Sequence, residues 1–215
     1  GYVADGYFQS QEEIDMADCV YGGNKANIKP GYIRYVDVNH DGEINSKDRV
    51  ILGNSTPRYE YSFTLGGQWK GIDLSLFFQG VGKRDLYYSG AGARPLVQNS
   101  TIFKSQLDTW SPENPDAEYP LLLVDAGSTN MNNIVSSFWI KSGAYLRLKN
   151  LTVGYTLPKK WTNRVSIDNL RLYFTASNLF TINNGYKGYD PETGVTSGAM
   201  YPVMKTFNFG INLDF

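Results

Sequence analysis

Residues 59–79 read YEYSFTLGGQWKGIDLSLFFQ. Alternate positions from Tyr59 carry Tyr59, Tyr61, Phe63, Leu65, Gly67 and Trp69, while Glu60, Ser62, Thr64, Gly66 and Gln68 fill the places between. A period of two marks a strand, because successive side chains point to opposite faces. Lys70-Gly71 supplies a two-residue turn, with glycine where a positive φ is needed. The chain returns with Ile72, Leu74, Leu76 and Phe78 on one face and Asp73, Ser75 and Gln79 on the other, where Phe77 is the exception. The stretch is a long β-hairpin with one apolar and one mostly polar face.

Three further segments alternate in the same way. From Tyr145 to Leu157 the later half aligns Leu151, Val153, Tyr155 and Leu157, whereas the earlier half aligns Leu146 and Leu148 with the opposite parity. A parity switch inside one strand predicts a β-bulge near Lys149 or Asn150. Leu170, Leu172, Phe174 and Ala176 form the next apolar face, and Phe207, Phe209, Ile211, Leu213 and Phe215 the last. Lys159 to Arg164 reads as a short link of one helical turn. The other connections, about 82–143 and 182–203, are long and rich in Gly, Pro, Asn and Ser, and residues 1–57 form another long irregular stretch.

The composition narrows the chemistry. The 215 residues include 16 Tyr, 11 Phe, 4 Trp and 22 Gly, as expected of strands and turns. Twenty Lys and Arg face 21 Asp and Glu, which leaves no basic footprint for nucleic acid. One cysteine, Cys19, cannot make an internal disulfide or a cysteine metal cluster, and one histidine, His40, gives little basis for a His-based triad or a two-His metal site. No run approaches the ~18 apolar residues of a spanning helix. The chain opens on Gly1 rather than Met and reads as a piece of a longer protein.

Two architectures suit the alternation. A β-sandwich would bury the apolar face as its core. An outer-membrane barrel would turn that face to lipid, with short turns at one end, long loops at the other, and Tyr and Trp near the strand ends. Tyr59, Tyr61, Trp69 and Tyr155 occupy such ends, and a connection of ~60 structureless residues is uncommon in a compact soluble domain.

Several stretches together resemble one family. Gly31 to Asn54 (GYIRYVDVNHDGEINSKDRVILGN), Gly71 to Gly82 (GIDLSLFFQGVG), Trp110 to Pro120 (WSPENPDAEYP), Ser136 to Pro158 (SSFWIKSGAYLRLKNLTVGYTLP), Leu170 to Phe180 (LRLYFTASNLF), Gly188 to Glu192 (GYDPE) and the terminal Phe207 to Phe215 are similar to the C-terminal portion of a SusC/RagA-type, TonB-dependent outer-membrane transporter. The resemblance implies an all-β fold: the last five antiparallel strands of a transmembrane β-barrel of roughly 22 strands. Residues 1–57 would then be an extracellular loop region, and 58–215 barrel strands with long extracellular loops. It implies import of oligosaccharides, or in some members peptides, by a protein that is not an enzyme and lies in the outer membrane of a Gram-negative cell. The partners it implies are the N-terminal barrel and plug of the same transporter, TonB acting through that N-terminal part, outer-membrane lipid, and a SusD-like surface lipoprotein as a lid. The aromatic-rich strand Phe207, Phe209, Ile211, Leu213 and Phe215 resembles the signal read by barrel-assembly machinery. The rival from composition and pattern is a soluble, calcium-stabilised β-sandwich that binds carbohydrate.

One motif carries chemistry by its spacing. Asp37, Asn39, Asp41 and Gly42 fit the D-x-[DN]-x-[DN]-G pattern of a calcium loop, with Glu43 offering its backbone carbonyl and Asp48 at the last ligand position. A hard cation takes several oxygen ligands at ~2.3–2.6 Å, and short oxygen side chains at alternate positions converge on one point. Asp48 stands where a bidentate Glu is usual, so coordination is weaker or completed by water. An Asx-rich turn without metal is the bland alternative. Tyr87, Tyr88, Trp110 and Tyr119, in a long external connection, are candidates for stacking on a sugar, or for packing among loops. Asn54-Ser55-Thr56, Asn99-Ser100-Thr101 and Asn150-Leu151-Thr152 match a glycosylation sequon by a pattern short enough to arise by chance.

Overall fold

In the computed structural model the hairpin forms as the alternation requires. The structure describes residues 1–90, 102–123, 130–163, 166–183, 189–193 and 201–215. Strands β3 (Glu60–Trp69) and β4 (Ile72–Val81) pair from Glu60↔Val81 to Trp69↔Ile72. Lys70 and Gly71 turn the chain with φ of 48° and 86°, the pair of positive values a type I′ turn demands. Strands β7 (Tyr145–Thr156), β8 (Asn169–Asn183) and β9 (Thr206–Asp214) complete a five-stranded antiparallel sheet in the order β3-β4-β7-β8-β9. Helix α2 (Lys159–Thr162) is the single turn expected between β7 and β8. Arg164 and the Asn99 sequon lie outside the described residues.

The parity switch is a bulge. Phe77 pairs with Asn150 and Phe78 with Leu148, and on the other side Leu148 pairs with Phe180 and Asn150 with Ser177, so Lys149 is skipped on both edges of β7. Past the bulge the register holds across the sheet. Gly67, Leu74, Val153, Phe174 and Phe209 form one cross-strand row, and Gly66, Ser75, Thr152, Thr175 and Asn208 the row beside it on the opposite face. Cross-strand aromatic contacts, Phe63 on Phe78 at 4.9 Å and Phe174 on Phe209 at 5.0 Å between ring centres, tie strands on the apolar face.

That apolar face is bare. Tyr59, Phe63, Leu65, Trp69, Ile72, Leu74, Val153, Tyr155, Leu172, Phe209, Ile211 and Phe215 are all exposed. A sandwich needs a second sheet over them, and the two other sheets among the described residues are two-stranded. No helix of the described residues is long and apolar enough to cross a membrane. Within the sheet β3 pairs only with β4 and β9 only with β8, so both outer edges present unpaired backbone groups.

The core lies elsewhere. Strands β1 (Ala4–Tyr7) and β2 (Ile33–Tyr35) pair, as do β5 (Asp85–Tyr87) and β6 (Ile140–Ser142), and helix α1 (Gln11–Met16) starts where the Ser10 side chain accepts from the Glu13 amide. These short elements bury Tyr2, Tyr7, Phe8, Ile14, Ile33, Tyr35, Leu86, Trp110 and Trp139 in one cluster. The stretches expected to be irregular therefore fold together into a cap. Packing aromatic side chains from distant segments replaces the long regular elements that the turn-rich sequence cannot form. The hairpin ladder runs on into this cap through Gly82 N–H to Tyr59 O and Arg58 N–H to Lys83 O, placing it at the end of the sheet opposite the Lys70-Gly71 turn.

Candidate functional site

Below the cap the polar face of the sheet carries mainly hydroxyl and amide side chains together with Phe77 and Tyr173, and near the turn end one ion pair crosses it. Arg171 donates through Nε to Asp73 Oδ1 at 2.9 Å and through Nη2 to Asp73 Oδ2 at 2.5 Å, spanning β7 between their two strands. Gly154 makes the crossing possible, since a Cβ there would sit 2.6 Å from Arg171 Nε. Gly210 similarly leaves room for the ring of Tyr173.

Nearer the cap the wall carries a second, larger cluster. Arg147 is only 3% exposed and donates to Thr181 Oγ1 at 2.7 Å, Asp190 Oδ1 at 2.6 Å and Glu192 Oε2 at 2.5 Å. Lys149, freed from the ladder by the bulge, reaches both oxygens of Glu192 at 2.7 and 2.8 Å. Arg84 donates to the Pro191 carbonyl at 3.2 Å, and the ring of Tyr189 meets Tyr88 edge-on at 5.6 Å. Three cations from the wall and cap thus hold the described part of the GYDPE segment, Tyr189 to Glu192, against the sheet; Gly188 lies outside the described residues. The sequence signal for this clamp was the polar parity of Arg147 and Lys149 together with two acids in GYDPE, but nothing local says that they meet.

The Asp/Asn loop is closed by its own amides. Asp37 accepts from His40 N–H and Gly42 N–H, Asn39 Oδ1 from Asp41 N–H, and Asp41 Oδ1 from Glu43 N–H. Asp48, fully buried, accepts from Val38, Asn39 and Asn45. These bonds, led by that from Asn45, hold the Asp48 carboxyl below the usual carboxylate range, and the Asn39 side chain chiefly does so for Asp41. Lys47 Nζ also lies 3.2 Å from Asp41 Oδ2. Glu43 turns its carboxylate toward Asn45 Nδ2 at 3.4 Å. His40 sits exposed at the turn with φ of 58°. The donors are all oxygens, which suits a hard cation, yet among the described residues no three acidic, His or Cys side chains are gathered closely enough to hold a metal ion.

The aromatic candidates divide. Tyr88, Trp110 and Tyr119 are buried in the cap, with Trp110 Nε1 donating to Gln9 Oε1 at 2.9 Å and its indole pressed over Gly31. They present no ring face to a ligand in this arrangement. Tyr87 is half-buried and lines a cavity. The last-strand residues Phe207, Phe209, Ile211, Leu213 and Phe215 share the exposed apolar face of β9 and its end.

A bare apolar face, a polar opposite face and open edges are the properties of a segment of barrel wall, and comparison with known proteins agrees. The chain is 33% identical over 205 residues to TonB-dependent receptor P3 of Formosa agariphila, covering 86% of this chain and 19% of that protein. It is 28% identical over 218 residues to TonB-dependent receptor SusC of Bacteroides thetaiotaomicron, covering 100% of this chain and 20% of that one. The chain is of the SusC/RagA type. Its fold matches the RagAB peptide importer in the open-open state with a TM-score of 0.64 at 23% identity, over 100% of this chain and 22% of the importer chain. No protein-family model matches. The chain spans about a fifth of the length of the curated relatives it matches.

Proposed function

We propose that these residues are C-terminal wall and extracellular cap of an outer-membrane, TonB-dependent transporter that imports oligosaccharides or peptides into a Gram-negative cell. The exposed apolar face carries this reading. In lipid that face is solvated, whereas in water a contiguous surface of this size would drive association. Ten-residue strands rising ~3.3 Å per residue and tilted by ~45° span about the apolar height of an outer membrane. The open edges of β3 and β9 pair with the remaining barrel strands, because each backbone group left unpaired in lipid costs several kcal/mol. The aromatic positions of β9 serve as the assembly signal. The polar face borders the lumen and its plug, TonB pulls on the plug through the N-terminal part, and a SusD-like lipoprotein closes over the cap. No residue pair here is assigned a catalytic role.

Calcium at the Asp37–Asp48 loop belongs to the same proposal. Asp37, Asn39, Asp41, the Glu43 carbonyl and Asp48 would hold it, and its part would be to stiffen the cap. The all-oxygen donor set supports this, although the side chains would have to turn from their amide partners to converge. Chelation that leaves the exchange of amides 37–48 unchanged counts against it.

The test of the main reading is cysteine labelling of the full-length transporter in bilayers, with Cys19 replaced by serine. Cysteine at Leu65 or Ile211 is expected to react with a lipid-soluble maleimide and resist a water-soluble one, while cysteine at Thr175 shows the reverse. Equal reaction of both faces with the water-soluble reagent would sink it.

A further inference from the structure

Toward the Lys70-Gly71 turn the apolar face of the sheet carries a groove of about 830 Å³, within the size range of small-ligand sites. Val153, Tyr155, Leu172, Phe174, Phe209 and Ile211 wall it. Strands β7 and β8 run beneath it, each paired on both edges, and β4 and β9 flank them. A further strand beside β9 extends the sheet sideways and leaves the groove uncovered, because ladder hydrogen bonds run from strand to strand while side chains stand out of the pleat. Apart from the hydroxyls of Tyr155 and Tyr173, the lining side chains are hydrocarbon.

The groove ends at a cationic rim. Tyr155, Leu172 and Ile211 belong to one cross-strand row that continues through Ile72 to Trp69. Lys70 holds its ammonium 4.6 Å from the centre of the Trp69 ring, and so on the apolar side of the turn. Lys159 and Lys160 begin α2, which is tied to the same end by the hydrogen bond from Thr156 N–H to Gly71 O. All three lysines are exposed and take part in none of the ion pairs among the described residues. No Asp or Glu of the five strands lies on the apolar face, and Asp73 on the other face is held by Arg171. A hydrocarbon groove that opens on an ammonium matches an alkyl chain joined to a phosphate. A zwitterionic headgroup would bring a cation of its own to this rim, whereas an anionic one brings none. We propose that the groove and Lys70 bind one anionic glycerophospholipid of the periplasmic leaflet, with an acyl chain along Val153 and Leu172, the phosphate on Lys70, and Lys159 and Lys160 adding charge around it. This rests on the transporter reading and adds to it a headgroup preference at one place.

The test uses the full-length transporter with its native cysteines replaced by serine, labelled with bimane at Val153→Cys in the groove or at Leu65→Cys on the same face outside it. Each is reconstituted in phosphatidylcholine vesicles containing brominated phosphatidylglycerol or brominated phosphatidylcholine, whose bromines quench bimane on contact. A surface lysine adds about fivefold to binding of an anionic lipid, so at Val153 the brominated phosphatidylglycerol should quench with about fivefold higher apparent affinity than brominated phosphatidylcholine. At Leu65 the two should quench alike. Lys70→Asn, which removes the charge and tolerates the φ of 48°, should abolish the preference, and Lys70→Arg should keep it. Equal quenching by the two lipids at Val153, the same preference at both positions, or a preference that survives Lys70→Asn would each overturn the assignment and leave the transporter reading in place. Quenching by neither lipid at either position would overturn both.

Discussion

Replacing Glu192 by glutamine keeps the shape of the clamp and removes one of its two negative charges. The carboxylate meets Arg147 at 2.5 Å and Lys149 at 2.7 and 2.8 Å. Hydrogen bonds to charged groups contribute about 1.5–3 kcal/mol each when desolvated and exposed ion pairs about 0.2–1. The Arg147 side chain is 3% exposed but that of Glu192 is 30%, so the pair falls between these limits. The substitution should weaken docking of residues 189–193 by about 2 kcal/mol, or roughly 30-fold in its opening equilibrium. Asp190 still pairs with Arg147 at 2.6 Å and Arg84 still bonds the Pro191 carbonyl, so the segment loosens rather than detaches. Hydrogen exchange of the full-length protein in detergent reads this directly: amides of 189–193 should exchange about 30-fold faster, with β7 and β8 unchanged. Lys149→Met should add less in the Glu192→Gln background than alone, since both act on one contact. Exchange altered by less than about threefold, or full additivity, would show that the cluster is a solvated surface array and not a clamp.

Other perturbations separate the remaining roles. Gly154→Ala puts a methyl group where the Asp73–Arg171 pair crosses β7, and should cost about 1–3 kcal/mol in urea unfolding of the detergent-bound barrel; an unchanged midpoint would contradict the crossing. Trp110→Ala should cost the cap about 3–5 kcal/mol as a core truncation and leave the sheet folded, a pattern that a ligand-contact role would not produce. Because the folded Asp48 carboxyl lies below its ordinary value, its contribution is fully present above the unfolded pKa and is lost as pH falls through the folded one. Amides of Val38 and Asn45 should therefore stay protected at neutral pH and lose protection progressively on acidification below about pH 4; loss on raising the pH instead would reverse the assigned sign.

The hairpin, the Lys70-Gly71 turn, the bulge at Lys149 and the strand around Phe207 were legible from residues alone. Each depends on neighbours within a few positions: alternation sets the face, a glycine admits positive φ, and a parity switch needs an extra residue. The clamp was not legible, since Arg147 and Glu192 are 45 residues apart and meet only through the tertiary fold. The Asp/Asn loop was half legible. Its spacing is compatible with calcium and with an Asx turn, and the backbone amides that its oxygens accept from become known only when the loop is closed.

Aromatic residues mark the same boundary. Sequence alone determined that Phe209 and Ile211 share a face, because the pleat permits nothing else. It did not determine that Trp110 and Tyr119 are buried while Tyr87 lines a cavity, because burial in a turn-rich segment is decided by which distant chain lies against it. Tertiary structure decided as well that the sheet keeps its apolar side bare. A strand pattern specifies two faces of different polarity, and only the arrangement of the whole chain specifies whether protein or solvent meets each one.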